Sequence, residues 1–327
     1  MRHWIIAIAF MVLPLTAQAR CEGVDLVNTM PTLQKDALLD VADKAPFPQG
    51  LLWHAAKGDT RITLFGTYHF KHYRTAVHLE TLKPHIDAAD IVFLEVSNAD
   101  QKKLAQTMAS DPSIMFITEG PTLPDLLGDE DWKTLSVALG ERGFPSFFAA
   151  KFKPVWAAMM LGISPCQIRE GALNGSGIDA QIGEYANSKN IENRSLEDFR
   201  TVMKLLDDIP QPDQIDMIRL FFAGLSDAED LSYTTQELYL AQQTSLLWEF
   251  SRLLSIQDGG AEAVQDFEQF EDLLLTQRNA DWIEVLTDSN VTGEVFLAAG
   301  AGHLPGENGI LKMLQDQGFI ITRLPFD

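Results

Sequence analysis

The sequence predicts an α/β fold: a central mixed sheet built from two related strand-helix-strand halves, one towards each end of the chain, with a large helical insertion in the middle. Three observations carry this. Short apolar runs at 51–56, 61–67 and 91–94 alternate with a helical segment at 75–88, the rhythm of a sheet covered by helices. The same rhythm returns at the end, with strands at 294–299 and 319–324 around a helix at 305–317. Between them, apolar residues of about 98–165 and 197–287 recur at helical spacing.

Each element follows from its residues. The first two strands flank Gly58-Asp59, a hairpin turn. Ile91-Val92-Phe93-Leu94 is a continuous apolar run of the kind buried on both faces of a sheet. Past residue 98 the helical pattern breaks at Asp111-Pro112, Gly120-Pro121, Gly143-Phe144-Pro145 and Lys153-Pro154, which describes a helical subdomain instead of a second sheet. A glycine-rich loop at 171–177 precedes a helix at 178–188 and a short strand at 191–196. Pro305 opens the last helix, where proline is tolerated. Each end has too few strands to be stable alone, so the two are expected to share one sheet. The helical middle is expected to pack over an edge of it or to form a lid, and residues 20–327 read as a single domain.

The chain has 327 residues, 25 Lys+Arg against 46 Asp+Glu and a net charge of −21. That excludes nucleic acid as a partner, because counterion-release binding needs a basic face. With 46% apolar and 22% charged residues the chain can bury a full core. Residues 1–19 carry Arg2 and His3, an apolar stretch at 4–15 and the small-x-small phrase Ala17-Gln18-Ala19. This reads as a signal peptide cleaved near Ala19, too short to span a bilayer. A periplasmic or secreted protein with no membrane span in the mature chain is expected. Cys21 and Cys166 are its two cysteines, and an oxidising compartment would join them as a structural disulfide.

The chemistry-bearing residues gather after the strands. Gly66-Thr67-Tyr68-His69 follows one strand and Gly300-Ala301-Gly302-His303 another, so the phrase Gly-x-x-His occurs twice in one context. Ligands of α/β sheets collect beyond the carboxyl ends of strands, and a helix starting at Pro305 would keep His303 neutral. Glu95 and Glu197 each end a strand as Leu-Glu, while Arg278-Asn279 closes a long helical stretch. His72 lies three residues beyond His69 and would share its face if a helix began there. His54, His78 and His85 read as ordinary surface or strand residues. Phe147-Phe148, Phe221-Phe222 and Trp248 read as core positions and not as an interface.

These phrases, with Leu64-Phe65, Phe93-Leu94-Glu95, Gly177-Ile178-Asp179, Leu196-Glu197 and Gly300-Ala301-Gly302-His303-Leu304-Pro305-Gly306, resemble the TraB/GumN family. That family is similar to the Tiki metalloproteases and, more distantly, to erythromycin-esterase and ChaN-like proteins. The resemblance implies two related halves, each giving a Gly-x-x-His, and a metal-dependent, peptidase-like site. By position, His69 and His303 match its paired histidines, Glu95 its glutamate, and Arg278 and Asn279 its Arg-Asn pair. The phrase Glu192-Asn193-Arg194-Ser195 before Glu197 departs from the small, glycine-bearing one often seen there.

The expected function is an exported metal-dependent hydrolase, with His69, His303 and Glu95 holding a divalent ion (Mn, Co or Zn) that activates water and polarises a carbonyl. Glu197 would take the proton and Arg278 would stabilise the oxyanion, with Asn279 beside them. The alternative is a non-catalytic binding protein that sequesters a peptide, haem or another small ligand in the same cleft.

Overall fold

The computed structural model describes residues 21–174 and 177–326. The signal peptide expected at 1–19 lies outside the described residues. Six strands form one mixed sheet: β1 (Leu52–Lys57), β2 (Thr60–Thr67), β3 (Ile91–Leu94), β4 (Glu192–Ser195), β5 (Gly293–Gly300) and β6 (Ile320–Arg323), in the order β4-β3-β5-β2-β1-β6. β1 is antiparallel to both β2 and β6, while β2/β5, β5/β3 and β3/β4 are parallel pairs. The carboxyl ends of β2, β3, β4 and β5 therefore share one edge. Gly58, with φ 58°, makes the two-residue turn between β1 and β2, the left-handed backbone that such hairpins need.

The two ends of the chain do share this sheet, but not as two halves side by side. β5 sits between β2 and β3, and the middle of the chain supplies β4 to an edge. The physical reason is apolarity: Val295 to Ala299 are all buried, and such a strand needs a neighbour on each side and cover on each face. Val295, Leu297 and Ala299 pack with Trp282, Leu286, Leu311 and Leu314 on one face. Phe296 and Ala298 pack with Leu82, Ile86 and Ile182 on the other. The helical middle is thus more than an edge cover or lid, since its helices Ile178–Ser188 and Gln277–Leu286 roof opposite faces. A separate core that includes Leu135, Leu139, Phe152, Leu161 and Ile218 holds the helical subdomain.

Several local expectations are corrected. The last helix begins at Ile310 and not at Pro305, because a 3-10 turn at Ala301–His303 and Gly306, with φ 91°, turn the chain first. The segment 75–88 divides into a 3-10 turn, Tyr73–Val77, and the helix His78–Asp87. His78 is buried, its ring against Phe65, Tyr239 and Phe326. Phe147, 79% exposed, and the exposed Phe148 and Phe221 are not core residues; in the one-turn helix Ser146–Ala149 it is Ala149 that points inward. Cys21 and Cys166 form the expected disulfide, bridging 145 residues. Among the described residues no helix is long and apolar enough to cross a membrane, and disulfide and helices together fit an exported protein.

Candidate active site

The shared sheet edge gathers residues from distant parts of the chain. His69 lies two residues past β2, Glu95 directly past β3, Glu197 two past β4 and His303 three past β5. Arg278 and Asn279 come from the helix Gln277–Leu286, which a π-helical turn, Asp272–Thr276, precedes. The Leu274 carbonyl in that turn accepts a 3.0 Å bond from Arg278 Nη1, so the irregular turn helps aim the guanidinium.

The glycines of the two Gly-x-x-His phrases let the phrases touch. A Cβ at Gly66 would lie 2.8 Å from Leu304 Cδ1 and 3.1 Å from Ala301 Cα. A Cβ at Gly300 would lie 2.9 Å from His69 Nε2, 3.2 Å from Glu95 Oε1 and 3.5 Å from His303 Cδ2. Three side chains from three strand ends therefore converge on one small space beside Gly300. Gly177 is needed for a similar reason, since its Cβ would meet the His69 carbonyl oxygen at 2.1 Å.

Both imidazoles are tied at Nδ1 and turn Nε2 towards Glu95. His69 Nδ1 is 3.2 Å from Asp179 Oδ2, and Thr67 Oγ1 donates to the other Asp179 oxygen. His303 Nδ1 is 2.6 Å from Asn279 Oδ1, while Asn279 Nδ2 donates to the Asn308 carbonyl at 2.8 Å. The two Nε2 atoms stand 3.7 Å and 3.9 Å from the same oxygen, Glu95 Oε1. The Gly300 N–H donates to that oxygen at 2.6 Å.

Arg278 is the hub of the acidic side. Its Nη2 donates to Glu95 Oε2 at 2.8 Å and its Nε reaches both Glu197 oxygens at 3.1 Å. Nη1 lies 3.4 Å from His303 Nε2. The guanidinium also stacks over Trp282 at 4.8 Å, and Trp282 lies 4.4 Å from the His303 ring.

These surroundings give the two histidines different charge states, one protonated and one neutral. The Asp179 charge, helped by Glu95, raises His69 to about 10. Burial above all, with Arg278 adding to it, lowers His303 to about 3. Its neutrality thus comes from burial and a neighbouring cation, and not from a helix beginning at Pro305. For Glu95 burial opposes ionisation, yet His69, Arg278 and the Gly300 N–H hold it at about 2. Glu197 goes the other way, raised by burial although Arg278 pulls it back.

His69, Glu95, Glu197, Arg278, Asn279 and His303 are thus brought together. His72 is not among them: its backbone is extended, with φ −144° and ψ 138°, and its ring is buried against Tyr73. Asp179 and Thr67 were given no role by sequence reasoning. Asp179 stands 112 residues from Thr67, and the sequence signal was the phrase Gly177-Ile178-Asp179 opening a helix.

The donor types suit a divalent cation: two imidazole nitrogens and a carboxylate oxygen, each histidine oriented through its other ring nitrogen. The cradle beside Gly300 lies within reach of all three residues. The arrangement is open, since among the described residues only Cys21, Cys166 and Glu170 bring three ligand atoms within 4.8 Å of one another, and two of those are consumed by the disulfide.

Fold and site define an α/β protein with a His/Glu cluster at the carboxyl edge of its parallel strands. Residues 51–323 match the TraB/PrgY/gumN family, and the chain belongs to that family. Comparison with curated proteins and with solved structures gives no match.

Proposed function

We propose that this protein is an exported, metal-dependent hydrolase acting on peptides, its leader removed near Ala19. The observation that supports it most is the convergence of His69, Glu95 and His303 on the space beside Gly300. A divalent cation such as Mn, Co or Zn, held there by those three, would supply Lewis-acid polarisation and an activated water.

The chain's own groups divide the remaining work. Asp179 and Asn279 hold the imidazoles in register, Asp179 through a charge and Asn279 through a neutral amide. Glu95, kept ionised, is a poor proton acceptor. Glu197, raised by burial, is the better one once Arg278 shifts. Arg278 would turn its Nη groups from carboxylates to the oxygen developing charge at the scissile carbonyl. A haem-sequestering role has less support, because His303 is 4% exposed and its Nε2 faces a guanidinium instead of an open face.

The test is elemental analysis of protein purified without chelator, followed by digestion of a peptide library with Mn, Co and Zn added separately. Stoichiometric metal and metal-stimulated cleavage that His69→Ala and His303→Ala remove are expected. Full cleavage by both folded variants would overturn the reading.

A further inference from the structure

A cavity of about 240 Å³ opens beside His69 and Glu95. Its far wall is built from Leu94 and Val96 around the end of β3, Ala180 in the first turn of the helix Ile178–Ser188, and Gln101 on the helix Asn98–Ser110. That wall carries no charge, and the Gln101 amide is turned to its own chain, Nε2 donating to the Val96 carbonyl at 3.1 Å. The near wall is the reacting cluster itself. Pockets that enclose a whole small ligand measure roughly 300–1,000 Å³, so this one suits a single side chain.

The charged neighbours narrow what it can take. An anionic side chain would meet Glu95 and Asp179. A cationic one would have to share Asp179 and Glu95 with the protonated His69, with Arg278 and with the divalent ion that the reading above assigns to Glu95, and would be repelled by all three. An aliphatic side chain gains by leaving water against Leu94, Val96 and Ala180 and asks for no polar partner.

We propose that this cavity is the subsite for one uncharged, aliphatic side chain, of valine, leucine or methionine size, of a peptide whose neighbouring carbonyl lies over His69 and Glu95. The inference rests on the hydrolase reading above and names the substrate class for it. Ala180 and Gln101, on two different helices, are then the specificity residues that line the subsite.

Two measurements on the full chain test it, the first of them separately from catalysis. The first is binding of N-acetyl-leucinamide, N-acetyl-aspartamide and N-acetyl-lysinamide, followed by nuclear magnetic resonance. The leucine probe should bind about tenfold or more tightly than the charged ones, within the range that a pocket's apolar contacts provide. Ala180→Phe and Gln101→Phe should each remove that advantage. Gln101 is only half-buried on its helix, so its variant keeps the test alive if Ala180→Phe fails to fold. The second is the residue preference in library cleavage, which should move from Leu, Met and Val towards Gly and Ala in both variants by a similar factor. Cleavage with no aliphatic preference, or a preference unchanged in both folded variants, overturns the subsite and leaves the hydrolase reading standing. Selective binding of the leucine probe, lost in the variants, with no cleavage under any metal supports the subsite and overturns the hydrolase reading.

Discussion

The two Gly-x-x-His phrases reach the same oxygen of Glu95 from opposite environments. The side chain of His69 is 55% exposed and that of His303 only 5%. One is tied to a carboxylate and the other to an amide. The first is held protonated, up to about 10, and the second neutral, down to about 3. The same Gly-x-x-His spacing thus yields one protonated imidazole and one neutral imidazole with a free lone pair. The difference comes from what packs around each ring, Asp179 in one case and Trp282 with Arg278 in the other, and not from the phrase.

The comparison breaks most sharply at the shared cradle. Gly300 has φ −51° and ψ 137°, a backbone that alanine adopts freely, so Gly300→Ala should fold while its methyl group fills the space between the ligands. Metal affinity by calorimetry should fall by more than about 100-fold, beyond the range for a residue that merely orients a ligand. Unchanged affinity would mean that the ion, if any, binds elsewhere.

Acid should separate buried from exposed imidazoles next. His78, buried like His303, is lowered to about 4 by burial and by His72. The unfolded chain binds its proton near pH 6.5 and the folded chain only near 4, so stability falls as pH drops through that window, by at most about 3 kcal/mol. His78→Phe should make the decline of urea midpoints between pH 7 and pH 4 shallower, with His303, lowered to about 3, supplying the remaining slope, and an equally steep decline in the variant would assign the acid sensitivity to other groups. His69 has the opposite sign: its interaction with Asp179 is fully present below pH 6.5 and is lost as pH rises through about 10.

Smaller effects should follow from the orienting partners. Asp179→Asn and Asn279→Ala should each cost about 10–100-fold in metal affinity. Only Asp179→Asn should also bring His69 down from about 10 towards its ordinary range, which proton titration by magnetic resonance reads directly. If Asn279→Ala moved His69 as far, the separation of roles would fail.

Much of this was legible beforehand because the signals are local. An apolar run such as Val92-Phe93-Leu94 announces a buried strand, and an acid or histidine just past such a run marks the functional edge of a parallel sheet. Seats decided by distant neighbours were not legible. β5 enters between β2 and β3 because its apolar faces need cover on both sides, and nothing within residues 293–300 names those neighbours. Pro305 looks like a helix start, yet Gly306 turns the chain first. Asp179 is joined to Thr67 and His69 only through folding, and burial of His78 depends on Phe326 near the far end of the chain.

The most direct measurement is anomalous diffraction from crystals of the protein soaked in manganese. The account predicts one strong peak beside Gly300, within about 2.3 Å of His69 Nε2, His303 Nε2 and a Glu95 oxygen, with Arg278 Nη1 displaced from His303. A peak elsewhere, or none while Arg278 still bridges Glu95 and His303, would contradict it.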